Sequence, residues 1–161
     1  QAPWPVAADG DGSSLVLIAP KSLPDHADPF CWVASAAMHG SPGFDDSLSF
    51  DGVANIDRDG DGLEALVEHA LGTSDADPGS GLDRVRGEIL SGEFRYSYTV
   101  SRNATSVKVR PEVSLDLNTW SQNSELVEFI SRRENEDGTE TFLWRPVALA
   151  PKVFFRLNVT Q

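Results

Sequence analysis

The chain is predicted to be mainly β, with a small antiparallel β-sandwich in its second half, preceded by a β-containing region and one loop with a short helix. Three observations lead there. Residues 82–161 hold four runs in which apolar and polar side chains alternate, residues 55–72 hold the one clear helical period, and the first fifty residues hold a single apolar run amid proline and glycine.

In the second half, EFRYSYTV alternates Phe94, Tyr96, Tyr98 and Val100, and SVKVRPEVSLDL continues with Val107, Val109, Val113 and Leu115. TETFLWRPV follows, then KVFFRLNV with Val153, Phe155, Leu157 and Val159. Such period-two patterns place one face of each strand on a core. NEDGTE is a hairpin signal with Asp137 and Gly138 at its tip. About five strands with regular turns give a sandwich. Its interspersed arginines and lysines read as solvated faces. Upstream, SSLVLIAP is one strand, and Trp4 and Trp32 are the large apolar anchors of residues 1–50. That region is too small to bury a core alone, so it should lean on the second half or on further chain. The expected division is 1–50, 51–81 and 82–161.

With 161 residues and 40% hydrophobic content, a folded core is within reach. No apolar run approaches the roughly 20 residues that span a bilayer, so no membrane span is expected. Gln1 is followed by neither a basic stretch nor an apolar one, so no signal peptide is read here. The net charge of -12 disfavours nucleic acid, which demands a concentrated cationic face. The charge is unevenly spread: residues 1–81 carry two bases against fourteen acids, whereas residues 82–161 carry eleven of each. Cys31, the single cysteine, lies among apolar neighbours and is expected to be a buried, inert thiol.

The acidity concentrates in NIDRDGDGLEALVEHALG, residues 55–72. Counted from Asp57, positions 1, 3, 5 and 12 are Asp57, Asp59, Asp61 and Glu68, with Gly62 at position 6 and Leu63 at position 7. This is the pattern of an EF-hand-like calcium loop, because a hard cation takes about six to eight oxygens and a tight loop presents alternate side chains inward. Gly62 makes the turn, the Leu63 carbonyl supplies an oxygen, and Glu68 closes the shell from the helix. Position 9 is Ala65, so water is expected there. Leu63, Leu66, Val67, Ala70 and Leu71 form one apolar helical stripe, and Gly72 suits the position just past its end. The predicted metal ligands are therefore Asp57, Asp59, Asp61, Leu63 and Glu68, and the predicted cofactor is Ca2+. No second complete loop exists: Pro20 and Arg86 stand where closing glutamates would be, counted from Asp9 and Asp75. A lone loop without a partner hand reads as a structural clip, not a sensor.

The order of these pieces resembles the end of bacterial lamin-tail domains in large secreted proteins. Trp4 with Pro5, Asp9 to Leu15, Trp32 with Ser35, and Gly40 to Gly43 carry that likeness. The acidic loop is similar to thrombospondin type 3 and dockerin loops, while VSLDLNTW and FFRLNVT are similar to the C-terminal β-module of the same proteins. The resemblance implies an Ig-like partial lamin-tail β region at residues 1–50, an extracellular or cell-surface setting, and upstream domains. Against that resemblance the lamin-tail portion starts late, so a chain beginning at Gln1 would be expected to have an incomplete first sheet whose edge invites a neighbouring strand.

No enzyme is expected. His26, His39 and His69 lack metal-ligand spacing, and neither a nucleophile elbow nor a phosphate loop occurs. The leading expectation is a non-catalytic, calcium-stabilised extracellular module that carries or attaches upstream domains. A second is a structural subunit of a fibre or surface layer, assembled with neighbouring subunits by strand complementation. A third is polysaccharide binding, with Trp120, Trp144 and Tyr98 as the stacking rings.

Overall fold

The computed structural model describes residues 3–40, 48–122, 125–147 and 152–161. Among the described residues, eight strands form three antiparallel sheets, accompanied by one α-helix. β1 (Leu15–Leu17) pairs with β2 (Trp32–Ala34). β3 (Val85–Leu90), β4 (Glu93–Ser101), β6 (Val127–Glu134) and β7 (Thr139–Pro146) form a sheet in the order β3-β4-β7-β6, and β5 (Lys108–Ser114) pairs with β8 (Phe154–Thr160). The helix, α1 (Ala65–Leu71), lies between the first sheet and the rest in sequence. The 41–43 part of the lamin-tail-like ending lies outside the described residues.

The alternating runs become strands because each has one face to bury. Tyr96, Tyr98 and Phe142 form the centre of the core, with Val109, Phe155 and Leu157 of the β5-β8 pair packed against them. One ring pair joins the two layers, Tyr96 of β4 stacking on Phe155 of β8 at 4.9 Å, while within the four-stranded sheet Tyr98 stacks on its cross-strand neighbour Phe142 at 5.1 Å. The fold is therefore the small antiparallel sandwich expected. The β6-β7 hairpin turns through residues 135–138, where the Asp137 carboxylate accepts from the Thr139 amide at 3.0 Å and Gly138 adopts φ 81°. These contacts hold the Asp137 carboxyl below its ordinary range, the Thr139 hydroxyl first.

β1, β2 and the turns around them pack on the sandwich. Phe30 inserts beside Phe129, Phe142 and Trp144, with ring centroids 5.1 to 6.2 Å apart. Cys31 is buried beside it, and burial pushes its thiol pKa up. Two arginines from the sandwich hold this region by its backbone. Arg110 donates to the Phe30 carbonyl at 2.8 Å and pairs with Asp28 at 3.0 Å. Arg132 goes further: its guanidinium makes a bidentate contact with Glu140 and donates to the carbonyls of Pro3, Pro29 and Trp32. All five of its N–H donors are thereby used. Both Arg132 and Glu140 side chains are 1% exposed. This corrects the reading of the arginines as solvated faces for Arg132, whereas Arg86, Arg133 and Arg156 are exposed as that reading expects. A guanidinium buries here because the irregular backbone of residues 3–34 has carbonyls that no strand satisfies.

Truncation of Arg132 should be far costlier than loss of a surface arginine. Arg132→Ala leaves the buried Glu140 carboxyl without its partner and three carbonyls without donors, a change worth about 3–5 kcal/mol. Denaturant titration reads the loss, and limited proteolysis should show cleavage within residues 3–40 well before the sandwich is cut.

Candidate metal centre

The acidic loop is built by its own carboxylates. Asp57 accepts from the Gly60 amide at 2.7 Å and the Gly62 amide at 3.0 Å, and Asp61 accepts from the Leu63 amide at 2.7 Å. Gly62 has φ 94°, a conformation that a side chain resists, and open space lies around it. The loop closes where the amide of Ala65 donates to the Ile56 carbonyl at 2.8 Å and that of Leu66 to Ala54 at 3.1 Å. Those bonds satisfy first-turn amides of α1 that have no partner within the helix.

Helix α1 begins at Ala65, two residues later than the apolar stripe predicts. Leu63 stays in the loop because its amide is bound to Asp61, and Glu64 is extended, with φ -76° and ψ 149°. The remaining stripe behaves as expected. Ala70 and Leu66 pack with Ala104, Val107, Val109 and Val159, and Leu71 is fully buried. Gly72 closes the helix in the left-handed region, its amide donating to the Glu68 and His69 carbonyls. A Cβ there would meet the Cβ of Ser101 on β4 at 3.0 Å, so the glycine also lets the helix end approach the sandwich.

Asp57, Asp59 and Asp61 each offer a carboxylate oxygen within 4.8 Å of the others, a cluster able to hold a metal ion. Glu68 lies outside that 4.8 Å group but within the electrostatic reach of Asp59 and Asp61. It is 1% exposed, and its carboxyl pKa is raised, by burial first and then by the charges of Asp59 and Asp61. One of its oxygens accepts from the Thr73 hydroxyl at 3.3 Å. Its other oxygen, together with the Oδ2 atoms of Asp59 and Asp61, is buried without a hydrogen-bond partner. Three buried acceptors with nothing to accept are costly, and a cation is one species able to satisfy acceptors that bear no proton.

Two nearby groups escaped the sequence reading. Thr73, just past the helix, donates to Glu68, and Asp75 adds to the negative field at Glu68 while pairing with Arg58 at 3.5 Å. Neither has a fixed position in the twelve-residue spacing, so only the folded chain reveals them.

The three candidate sugar-stacking rings do not share an exposed face. Tyr98 is 2% exposed, Trp144 is built into the Phe30 and Phe129 cluster, and Trp120 lies under the Arg156 guanidinium at 4.4 Å. The histidines are also scattered: His26 packs on Trp32, whereas His69 packs on Phe50 and has its Nε2 buried without a partner.

No protein-family model, curated protein or solved structure matches this chain.

The charge arrangement predicts a crossover in stability. Glu68→Gln should stabilise the protein in chelator, by about 1–3 kcal/mol, because a buried charge among like charges is removed. With a divalent cation in excess the same variant should be the less stable one. Thermal unfolding of both proteins under both conditions checks this, and equal ranking in the two would contradict it.

Proposed function

We propose that this chain is a non-catalytic, calcium-stabilised module of an extracellular protein, which carries or attaches neighbouring domains at the cell surface. The observation that supports this reading best is the set of buried, partnerless oxygens on Asp59, Asp61 and Glu68. They belong to a loop whose helix packs against β4 and β8. An ion there ties loop, helix and sandwich into one unit.

Calcium fits the donor set better than other common cations. Every side-chain donor is a carboxylate oxygen, the hard ligand that Ca2+ and Mg2+ prefer, with no histidine or thiolate to favour zinc. A loop with a long closing glutamate suits the larger ion with its irregular shell. In this reading Asp57, Asp59, Asp61 and Glu68 supply carboxylates, Leu63 supplies its carbonyl, and water completes the shell. The aspartates already accept loop amides, so the loop is shaped before the ion arrives. The extracellular placement rests on the resemblance to secreted lamin-tail proteins and on affinity: a single loop of this kind belongs with modules that bind calcium at about 10⁻⁴ to 10⁻³ M, a range filled outside cells.

Isothermal titration of metal-stripped protein should show about one calcium per chain. Asp59→Ala should abolish the binding. At a hundred times the dissociation constant, calcium should add about 2.7 kcal/mol of stability. For a chain of this length that is a rise in Tm of about 5–10 °C, reversed by chelation. No uptake at millimolar calcium would remove the metal from the reading.

A further inference from the structure

The edge of the four-stranded sheet is unusually open. β3 is its outermost strand, and among the described residues the layer packed on the sheet consists of two strands, β5 and β8. Val85 reaches the Tyr96-Tyr98-Phe142 core, but further along the same face Ile89 is 76% exposed. Leu90 and the cross-strand Phe94 are exposed as well. Long apolar edges normally carry protection against pairing.

The hydrogen-bond parity of β3 is fixed by its hairpin. Ser91 and Gly92, with φ 53° and 81°, form a two-residue turn, so the flanking pair Leu90 and Glu93 is a hydrogen-bonded one. The alternation then directs the amides and carbonyls of Glu88 and Arg86 towards β4, in keeping with the Thr99 amide donating to the Arg84 carbonyl at 2.8 Å. Those of Val85, Gly87 and Ile89 point away from β4 to the open edge.

We infer that β3 pairs with β3 of a second copy of this chain, antiparallel, about a two-fold axis through Gly87. In that register Gly87 faces Gly87 and Val85 faces Ile89, so every outward amide and carbonyl of the three residues finds a partner. Arg86 then stands opposite Glu88, twice. The strand is self-complementary in charge: a basic residue and an acidic one flank the axis, one residue to each side. Within one chain Glu88 makes no ion pair among the described residues, and its cross-strand neighbour Arg95 is engaged with Glu93. Arg86 turns back to Asp83 at 3.6 Å across an exposed pair. Pairing with a second copy gives both charges a close partner and brings Val85 and Ile89 of each chain together beside Phe94. Phe94 already covers Gly87, since a Cβ on that glycine would meet its ring at 3.0 Å. The four-stranded sheet becomes an eight-stranded one. Because the interface is the same patch on both copies, it closes at two.

Sedimentation of the 161-residue chain over micromolar to submillimolar concentrations tests this directly. The expected species at the upper end has twice the 17.5 kDa mass. Glu88→Arg sets arginine opposite arginine at both ends of the ladder and should weaken the dimer by about tenfold or more. The exchanged variant Arg86→Glu/Glu88→Arg should restore it. Both positions are exposed, so neither variant threatens the fold. A chain that remains monomeric throughout, or a dimer indifferent to Glu88→Arg, overturns the proposal. So does a dimer lost in the single variant and not regained on exchange.

Discussion

Among the contacts that tie residues 3–40 to the sandwich, one buried guanidinium serves the most backbone carbonyls. Arg132 sits on β6 with its charge compensated by Glu140 on β7, and it spends its remaining donors on backbone carbonyls of Pro3, Pro29 and Trp32. The contribution is conditional. A buried ion pair by itself adds little, because desolvation offsets attraction. Its value lies in the carbonyls, which belong to a stretch with only two three-residue strands. Such backbone cannot satisfy itself by ladder bonds. Without a donor delivered from the sandwich it would stay in water, and Phe30 would lose its seat among Phe129, Phe142 and Trp144.

The acidic loop faces the opposite problem. Arg132 supplies donors to surplus acceptors; around Glu68 the acceptors are in surplus and the described residues bring no donor to three of them. Apolar contacts of Ala70, Leu66 and Leu71 draw the helix onto the sandwich, and that docking buries Glu68 among like charges. Packing and electrostatics thus oppose each other at one helix. A bound cation reverses the sign of the second and makes the two agree, which is why the loop acts as a clip under the proposed function.

Strands β4, β5, β7 and β8 were legible because their alternation is unbroken and their apolar residues are large. Three others were not. β2 is only Trp32 to Ala34, too short for a pattern. β6 carries a register shift between Phe129 and Ser131, which puts its two halves out of phase, and it hides Arg132 in the apolar row. β3 reads VRGEIL, with a glycine in the middle and charges beside it, and most of it is exposed, so burial imposes no alternation. The three loop aspartates were legible for a different reason: metal-loop chemistry fixes their spacing in sequence. Thr73 and Asp75 owe their places to the chain reversal after Gly72, which no local spacing encodes. The helix start was displaced by two residues because a side-chain acceptor, Asp61, captured an amide that apolar periodicity assigned to the helix.

The contacts of Arg132 also differ widely in the length of chain they close. Its bond to Glu140 spans eight residues across one hairpin, whereas its bonds to Pro29 and Pro3 span 103 and 129. Closing the short loop loses much less chain entropy than closing the long ones. Chain entropy therefore favours forming the hairpin first, with the guanidinium half-satisfied and facing solvent until the N-terminal region docks. Docking is then the step that removes its last water, and the chain acquires a late-forming lock whose key is its own first forty residues.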